Sequence, residues 1–309
     1  MEYLVGYTGF VGSNLAASHT FDGQFNSRNI QQAFGGRPDL LVYAGVRAEM
    51  FLANHDPEAD LANLRQAADN IARIAPRQLV LISSISVYDE PKGADEDTPI
   101  HPERLTAYGA NRRWLEQWVE EQVPGHLIVR LPALYGRNLK KNFLYDYLHF
   151  LPPMLTQAKR EELGGQEPLI LDCYQPLGNG FYKCRDLEGP DREALKAAFR
   201  RVGFSALNFT DSRSRYQFYH LAKLWGHICR GLELGLDKLN LATQPVSAGE
   251  VYHALCGGEF VNHLDKPPFD YDFRTKHAAA FGGQQGYLED REQVLAGIRA
   301  FVAREEGKA

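Results

Sequence analysis

The sequence has no CxxC pair and no HxxxH spacing among its four cysteines (Cys173, Cys184, Cys229 and Cys256) and ten histidines. Metal-ligand spacing is therefore missing, no metal is expected, and the cysteines read as reduced thiols. A cationic surplus is missing too. Against 39 acidic residues stand 34 lysines and arginines, a formal net charge of −5, so little would hold a polyphosphate backbone and nucleic acid is not expected as a partner. No stretch reaches the roughly 20 apolar residues that a membrane span needs, and no basic leader with an apolar run opens the chain. A cytoplasmic protein with no membrane partner is expected. Internal repeats and low-complexity tracts are also absent.

What is present is globular. Hydrophobic residues make up 44% and charged residues 24% of 309 positions, enough for a core larger than that of one average domain. Short apolar runs recur at Tyr3–Val5, Leu40–Ala44, Leu79–Ile82 and Leu127–Val129. Continuous runs of that length suit strands buried on both faces. Between them Leu61, Leu64, Ala68, Ile71 and Ile74, then Trp114, Leu115, Trp118 and Val119, repeat at helical spacing. Strand alternating with helix predicts an α/β fold, a doubly wound parallel sheet with right-handed crossovers. Beyond Gly136 the texture changes: Leu151-Pro152-Pro153 interrupts, Gly178-Asn179-Gly180 marks a turn, and Asp191–Arg201 reads as a helix. A smaller, mostly C-terminal lobe is expected there. Leu239–Ala242 reads as a strand returning to the sheet and Asp290–Glu305 as a terminal helix. The expected division is 1–136 plus about 215–245 for the sheet domain, and 137–214 with 246–309 for the second lobe.

Directly after the first strand comes Gly6-Tyr7-Thr8-Gly9-Phe10-Val11-Gly12, which leads into a helical segment. A strand-to-helix turn of this kind leaves N–H groups unpaired along the helix axis, where a pyrophosphate can bind, and glycine lets the backbone approach it. This is the Rossmann-type arrangement, with Gly6, Thr8, Gly9, Phe10, Val11 and Gly12 as cofactor-binding candidates. Gly9 is the close-approach position and Gly12 the packing position. The bland alternative is a tight turn that only reverses the chain. About 20 residues on, an acid selects the ribose of NAD and an arginine tolerates the 2′-phosphate of NADP. The sequence there reads Asn26-Ser27-Arg28, an arginine without an acid. NADP is favoured over NAD, with a solvated Arg28 as the neutral reading.

At the end of the third run stands Ser83-Ser84-Ile85-Ser86, and Tyr108 and Arg112 follow at a spacing that stacks them on one helical face. A cation beside a phenol favours phenolate and so makes a tyrosine usable for proton transfer. Ser84 would hydrogen-bond the same substrate oxygen. The alternatives are a serine that caps the following turn and a tyrosine packed into its helix.

These motifs, together with Ala44-Gly45-Val46, Glu96-Asp97-Thr98-Pro99 and Arg130-Leu131-Pro132-Ala133-Leu134-Tyr135-Gly136, fall in the order found in the extended short-chain dehydrogenase/reductases. The chain resembles their NAD-dependent epimerase/dehydratase branch, which modifies nucleotide sugars. The resemblance covers the first 140 residues and, more loosely, 215–224. It implies catalytic roles for Ser84, Tyr108 and Arg112. It also implies cofactor contacts from Ala44, Gly45, Val46, Ile82, Tyr108, Arg112, Leu131 and Pro132, and substrate contacts from Ser84, Ser86, Asn142 and Arg215. Lys140 and Lys141 could join Arg215 against a diphosphate, or form an exposed basic turn. The resemblance further implies a homodimer through the helices near Leu64 and Trp114, although those faces could equally serve one subunit's core.

The chain departs from the family at Arg112, where a lysine is usual. Arginine keeps the charge, but its planar fork cannot copy a compact ammonium on ribose hydroxyls. The expected function is hydride transfer at a sugar carbon by an NAD(P)-dependent oxidoreductase or epimerase. A cofactor-binding sensor or scaffold without turnover is the rival, and a reductase of another carbonyl compound a third reading. Ile85 follows Ser84 where an Asp-Glu pair would have pointed to elimination, so epimerase or reductase is expected rather than dehydratase.

Overall fold

The apolar runs become strands because each is short, rich in Val, Ile and Leu, and bounded by turn residues. In the computed structural model, which describes residues 1–307, β1 (Glu2–Val5), β2 (Gly23–Phe25), β3 (Leu40–Tyr43), β4 (Gln78–Ser84) and β5 (His126–Leu131) pair in parallel. The strand Lys238–Asn240 joins β5, also in parallel, and the sheet order runs β2, β1, β3, β4, β5, Lys238–Asn240. The expected doubly wound fold is borne out. The sequence reading did not name β2 as a strand: three residues opening on Gly23 carry no periodic signal.

The winding order of the sheet reverses at β1: β2 lies on one side of it and the next strand in sequence, β3, on the other. Open parallel sheets bind ligands in the crevice at such a switch point, outside the carboxyl ends of the strands. Helix α1 (Phe10–Ser18) follows β1, α2 (Met50–His55) and α3 (Pro57–Ile74) follow β3, and α4 (Ala107–Gln122) precedes β5. One face of the sheet packs Leu4, Val42, Val80, Val129 and Leu239 into a cluster with Leu15 and Ile228. The other packs Val5, Leu41, Leu79, Leu81 and Ile128 against Leu64, Ala68, Ile71, Leu115 and Val119. Leu64 is wholly buried there and Trp114 packs half-buried against it, so the faces considered for a dimer serve the subunit's own core.

The chain divides into two units, Met1–Leu139 with Arg215–Val246 and Asp270–Ile298, and Lys140–Ser214 with Ser247–Phe269 and Arg299–Ala309. The boundary expected from sequence needs correction at 270–298, which groups with the sheet, and the last two positions of the second lobe lie outside the described residues. Buried polar contacts are the reason. Glu96 accepts bonds from Asn240 N, Thr275 Oγ1 and Lys276 N at 2.7, 2.6 and 2.9 Å, and Phe273 is wholly buried beside Val87, Tyr88 and Ala242. Within the second unit, the short strands Met154–Thr156, Phe181–Cys184 and Tyr174–Pro176 form an antiparallel sheet, and Leu155, Tyr174, Leu195 and Phe199 fill its core. No helix among the described residues is long and apolar enough to cross a membrane.

Candidate active site

The glycine loop sits at the switch point and is knitted to both neighbouring strands. Gly6 N donates to Phe25 O at the end of β2 (2.7 Å), and a Cβ on Gly6 would lie 2.5 Å from the Ala44 carbonyl oxygen after β3. With φ at +91°, Gly6 also holds a conformation that L side chains resist. A Cβ on Gly12 would meet the Gly6 carbonyl oxygen at 2.1 Å, so this glycine is needed for the helix to pack on its own turn. Gly9 differs. It is exposed, has φ −76° and ψ 171°, and its Cβ would meet only Gly6 O, at 3.3 Å. Among the described residues only that one tight contact, far milder than those at Gly6 and Gly12, opposes a side chain there. Gly9 is the N-cap of α1 and offers no side-chain bond to the first turn, whose N–H groups lack intrahelical acceptors. That open turn fits a dinucleotide phosphate, because a Cβ or capping side chain would occupy the approach.

The other candidates ring the same edge of the sheet. Asn26, Ser27 and Arg28 follow β2; Asn26 Oδ1 accepts from Arg28 N (2.9 Å), while the exposed Arg28 side chain has no ion-pair or hydrogen-bond partner among the described residues. Ala44, Gly45 and Val46 leave β3. Ser84 ends β4 in register with Leu131 at the end of β5, with Pro132 next, and Ile82 packs half-buried on the core below. Successive strand residues face opposite sides. Ser83 therefore points into the interior, where it donates to Glu116 Oε1 at 2.6 Å. Ser84 Oγ caps the following turn by accepting from Ser86 N (3.2 Å) and lies 3.1 Å from Ser86 Oγ.

Helix α4 starts at Thr106, whose hydroxyl accepts from Gly109 N, and rests on that serine turn. The approach requires Gly109: a Cβ there would stand 2.2 Å from the Ser86 carbonyl oxygen. Tyr108, next to Gly109 in the chain, is thereby held at the Ser86 turn. It is 5% exposed, its N–H donates to Asn54 Oδ1 on α2 (3.0 Å), and its hydroxyl has no hydrogen-bond partner among the described residues.

Arg112 does not reach that hydroxyl side-on. Its guanidinium lies over the Tyr108 ring, 4.3 Å from the centroid. Nη1 donates to Asp60 Oδ2 on α3 at 3.1 Å, and Nη2 donates to Asp60 Oδ1 and to the Arg47 carbonyl in the loop after β3. Sequence reasoning missed Asp60, and no local pattern could have found it, because the partners are 52 residues apart. It also missed Asn14, whose Nδ2 donates to Phe10 O and Arg137 O while its Oδ1 accepts from Arg137 N, tying the segment after Gly136 to α1.

Two substrate candidates are engaged elsewhere. Asn142 Oδ1 caps the helix Phe143–His149 in the second unit by accepting from Leu144 N and Tyr145 N at 3.0 and 3.3 Å. Arg215, in the first unit, is 46% exposed and pairs at 3.4 Å with Asp270, which also takes Lys92 at 2.6 Å.

Residues 3–151 match the family described as RmlD substrate binding domain. A dTDP-4-dehydrorhamnose reductase from Bacillus anthracis, solved with NADP, aligns over 98% of each chain with a TM-score of 0.61 at 17% identity. The Thermus thermophilus UDP-glucose 4-epimerase with NAD aligns over all of both chains at 0.61 and 14%. The fold is that of an extended short-chain dehydrogenase/reductase. RMD from Pseudomonas aeruginosa, complexed with NADPH, gives the same fold at 0.59 and 16% over 100% of this chain and 99% of its own. No curated protein sequence matches the chain. The family resemblance carried by the glycine loop, Tyr108 and the Arg130–Gly136 segment is thus borne out at the level of fold.

Proposed function

We propose that this extended short-chain dehydrogenase/reductase binds NAD(P) on the glycine loop and acts on a nucleotide sugar by hydride transfer at a sugar carbon, as a reductase or epimerase. One observation carries the reading. The first turn of α1, which has no side-chain cap, follows β1, and Tyr108, 5% exposed and with a hydroxyl that has no hydrogen-bond partner among the described residues, stands at the turn after β4 of the same sheet. When bound, the nicotinamide supplies or takes the hydride. The chain's own part is acid–base and orienting work. Tyr108 passes a proton to or from the sugar oxygen, and the Ser84–Ser86 pair hydrogen-bonds that oxygen. Gly6 to Gly12 hold the pyrophosphate, flanked by Ala44–Val46, with Ile82, Leu131 and Pro132 bordering the ring.

Within this reading the first unit is the cofactor domain and the second the substrate lobe. Asn142 stays a substrate candidate of the second unit, and Arg215 would have to share its charge with Asp270. Arg28, exposed and without an ion-pair partner, favours NADP through the 2′-phosphate. Calorimetry tests this, with NADP expected to bind more tightly than NAD; equal or tighter NAD binding removes Arg28 from the argument. The function itself is tested by following nicotinamide absorbance while nucleotide keto-sugars and their reduced forms are offered with NADPH or NADP.

A second reading, a cofactor-binding sensor or scaffold without turnover, draws on the engagement of Arg112 by Asp60. It predicts tight NAD(P) binding with no absorbance change on any nucleotide sugar.

A further inference from the structure

Arg112 stands where the family resemblance puts a cation on the cofactor ribose, yet its guanidinium is already spoken for. Asp60 takes both terminal nitrogens, the Arg47 carbonyl takes one of them again, and the Tyr108 ring covers one face. Arg112 is 5% exposed and Asp60 11%. Asp60 is itself fixed, because Asn111 Nδ2 donates to it at 2.9 Å and also to Pro57 O at 3.0 Å. A guanidinium presents a rigid fork that serves two acceptors at once, which a compact ammonium cannot do. The two acceptors join α3 to the loop after β3, the same loop whose Ala44 carbonyl lies against Gly6.

We infer that Asp60 is a positioning residue: it draws Arg112 across the Tyr108 ring and onto the Arg47 carbonyl, turning the expected ribose cation into a latch that fixes residues 44–47 beside the glycine loop. The inference rests on the dinucleotide reading for its purpose but not for its geometry. Arg112 then acts on the cofactor only through the loop it holds, and Tyr108 is oriented by the stacked guanidinium and by the Asn54 bond to its N–H.

Two measurements on the full chain test it, one without cofactor. The first is hydrogen exchange over residues 44–49 in wild type, Asp60→Asn, Arg112→Lys and Arg112→Met. The latch predicts exchange about tenfold faster in that loop for all three variants, with β4 unchanged. Equal loop exchange in folded variants overturns the latch, whatever the protein binds. The second is NADPH affinity by calorimetry. The latch predicts binding about tenfold weaker in Asp60→Asn and no rescue by Arg112→Lys, because the loop must be ordered on binding. A direct ribose contact predicts the opposite: Asp60→Asn frees the cation and holds or tightens binding, and lysine keeps it. That result overturns the inference. If wild type binds no dinucleotide, the proposed function falls and loop exchange alone judges the latch. Should Asp60→Asn fail to fold, Arg112→Met and Arg112→Lys carry both comparisons.

Discussion

Helix α4 carries two arginine–carboxylate pairs one turn apart, and they do different things. At Glu116 the pair is closed: Oε1 accepts from Ser83 Oγ and Arg130 Nε, and Oε2 from Arg130 Nη2 and Arg113 Nη1. Glu116 and Arg130 are 0% and 1% exposed. The network runs on through Tyr88, which accepts from Arg130 Nη1 at 2.7 Å and whose phenol burial pushes up to about 12. Burial opposes the Arg130 cation, but the attraction of Glu116 outweighs it and raises its pKa above the ordinary value. At Arg112 the pair is left open in one respect: the Tyr108 ring under its guanidinium carries a hydroxyl with no hydrogen-bond partner among the described residues. Buried polar groups that serve only the fold are satisfied from within. The Tyr108 hydroxyl, on a residue 5% exposed, has no such partner among the described residues, and the proposed function gives it one.

The sharpest way to break this contrast is Tyr108→Phe. Removing the hydroxyl deletes a proton donor or acceptor but no hydrogen bond to the described residues, so turnover on the accepted nucleotide sugar should fall by about 10²–10⁴-fold. The thermal midpoint should stay within a degree or two of wild type, on the order expected for a change below 0.5 kcal/mol. Full turnover in the variant removes Tyr108 from the chemistry, and a large loss of stability would mean that the hydroxyl does structural work.

At the closed pair the expected effect moves from activity to stability. Glu116→Ala leaves Arg130 buried without its counter-ion, a loss of about 3–5 kcal/mol in urea unfolding. Replacing both members with apolar residues of similar volume should recover most of it. If Glu116→Ala costs no more than a surface substitution, the pair contributes nothing and the distinction between the two ends of α4 disappears.

Much of this architecture is legible in the sequence because it is local. The runs at Tyr3, Leu40, Leu79 and Leu127 announce buried strands, and the glycines that follow the first announce the tight turn into α1. Tyr108 and Arg112 share a helical face by spacing alone. What the spacing cannot carry is the partner brought by the fold. Asp60 is an ordinary first-turn acid of α3 until the sheet sets α3 beside α4. Glu96, read as part of a family-like loop, proves to be the staple that holds 274–276 to the strand Lys238–Asn240, and this is why 270–298 joins the first unit. Asn142 is the opposite case: its side-chain oxygen also satisfies a local helix end, a role that sequence permits as readily as a substrate contact.

Acid sensitivity offers a third buried pair to set against the two on α4. Tyr219 OH lies 2.8 Å from His227 Nδ1, and burial, aided by Lys223, lowers His227 to about 4 from its ordinary 6.5. The ring is therefore neutral in the fold and charged in the unfolded chain at mildly acid pH. Its contribution is present above about pH 6.5 and is lost as pH falls toward 4, to at most about 3 kcal/mol. Urea unfolding at pH 7 and pH 4.5 should show that loss in wild type and a clearly smaller one in His227→Gln. An unchanged loss in the variant would assign the acid lability to another group.

The smallest predicted effect lies at the seam between the open pair and the serine turn. Gly109→Ala puts a Cβ 2.2 Å from the Ser86 carbonyl oxygen, a contact that backbone on both sides must relieve by moving apart. Overpacking of this kind costs about 1–3 kcal/mol. The shift separates Tyr108 from Ser84 and Ser86, so turnover should fall further than stability does, whereas the Glu116–Arg130 network deeper along the helix should keep its hydrogen-exchange protection. If stability falls and turnover does not, the first turn of α4 is ordinary packing, and the proton-handling site has to be sought away from the serine turn.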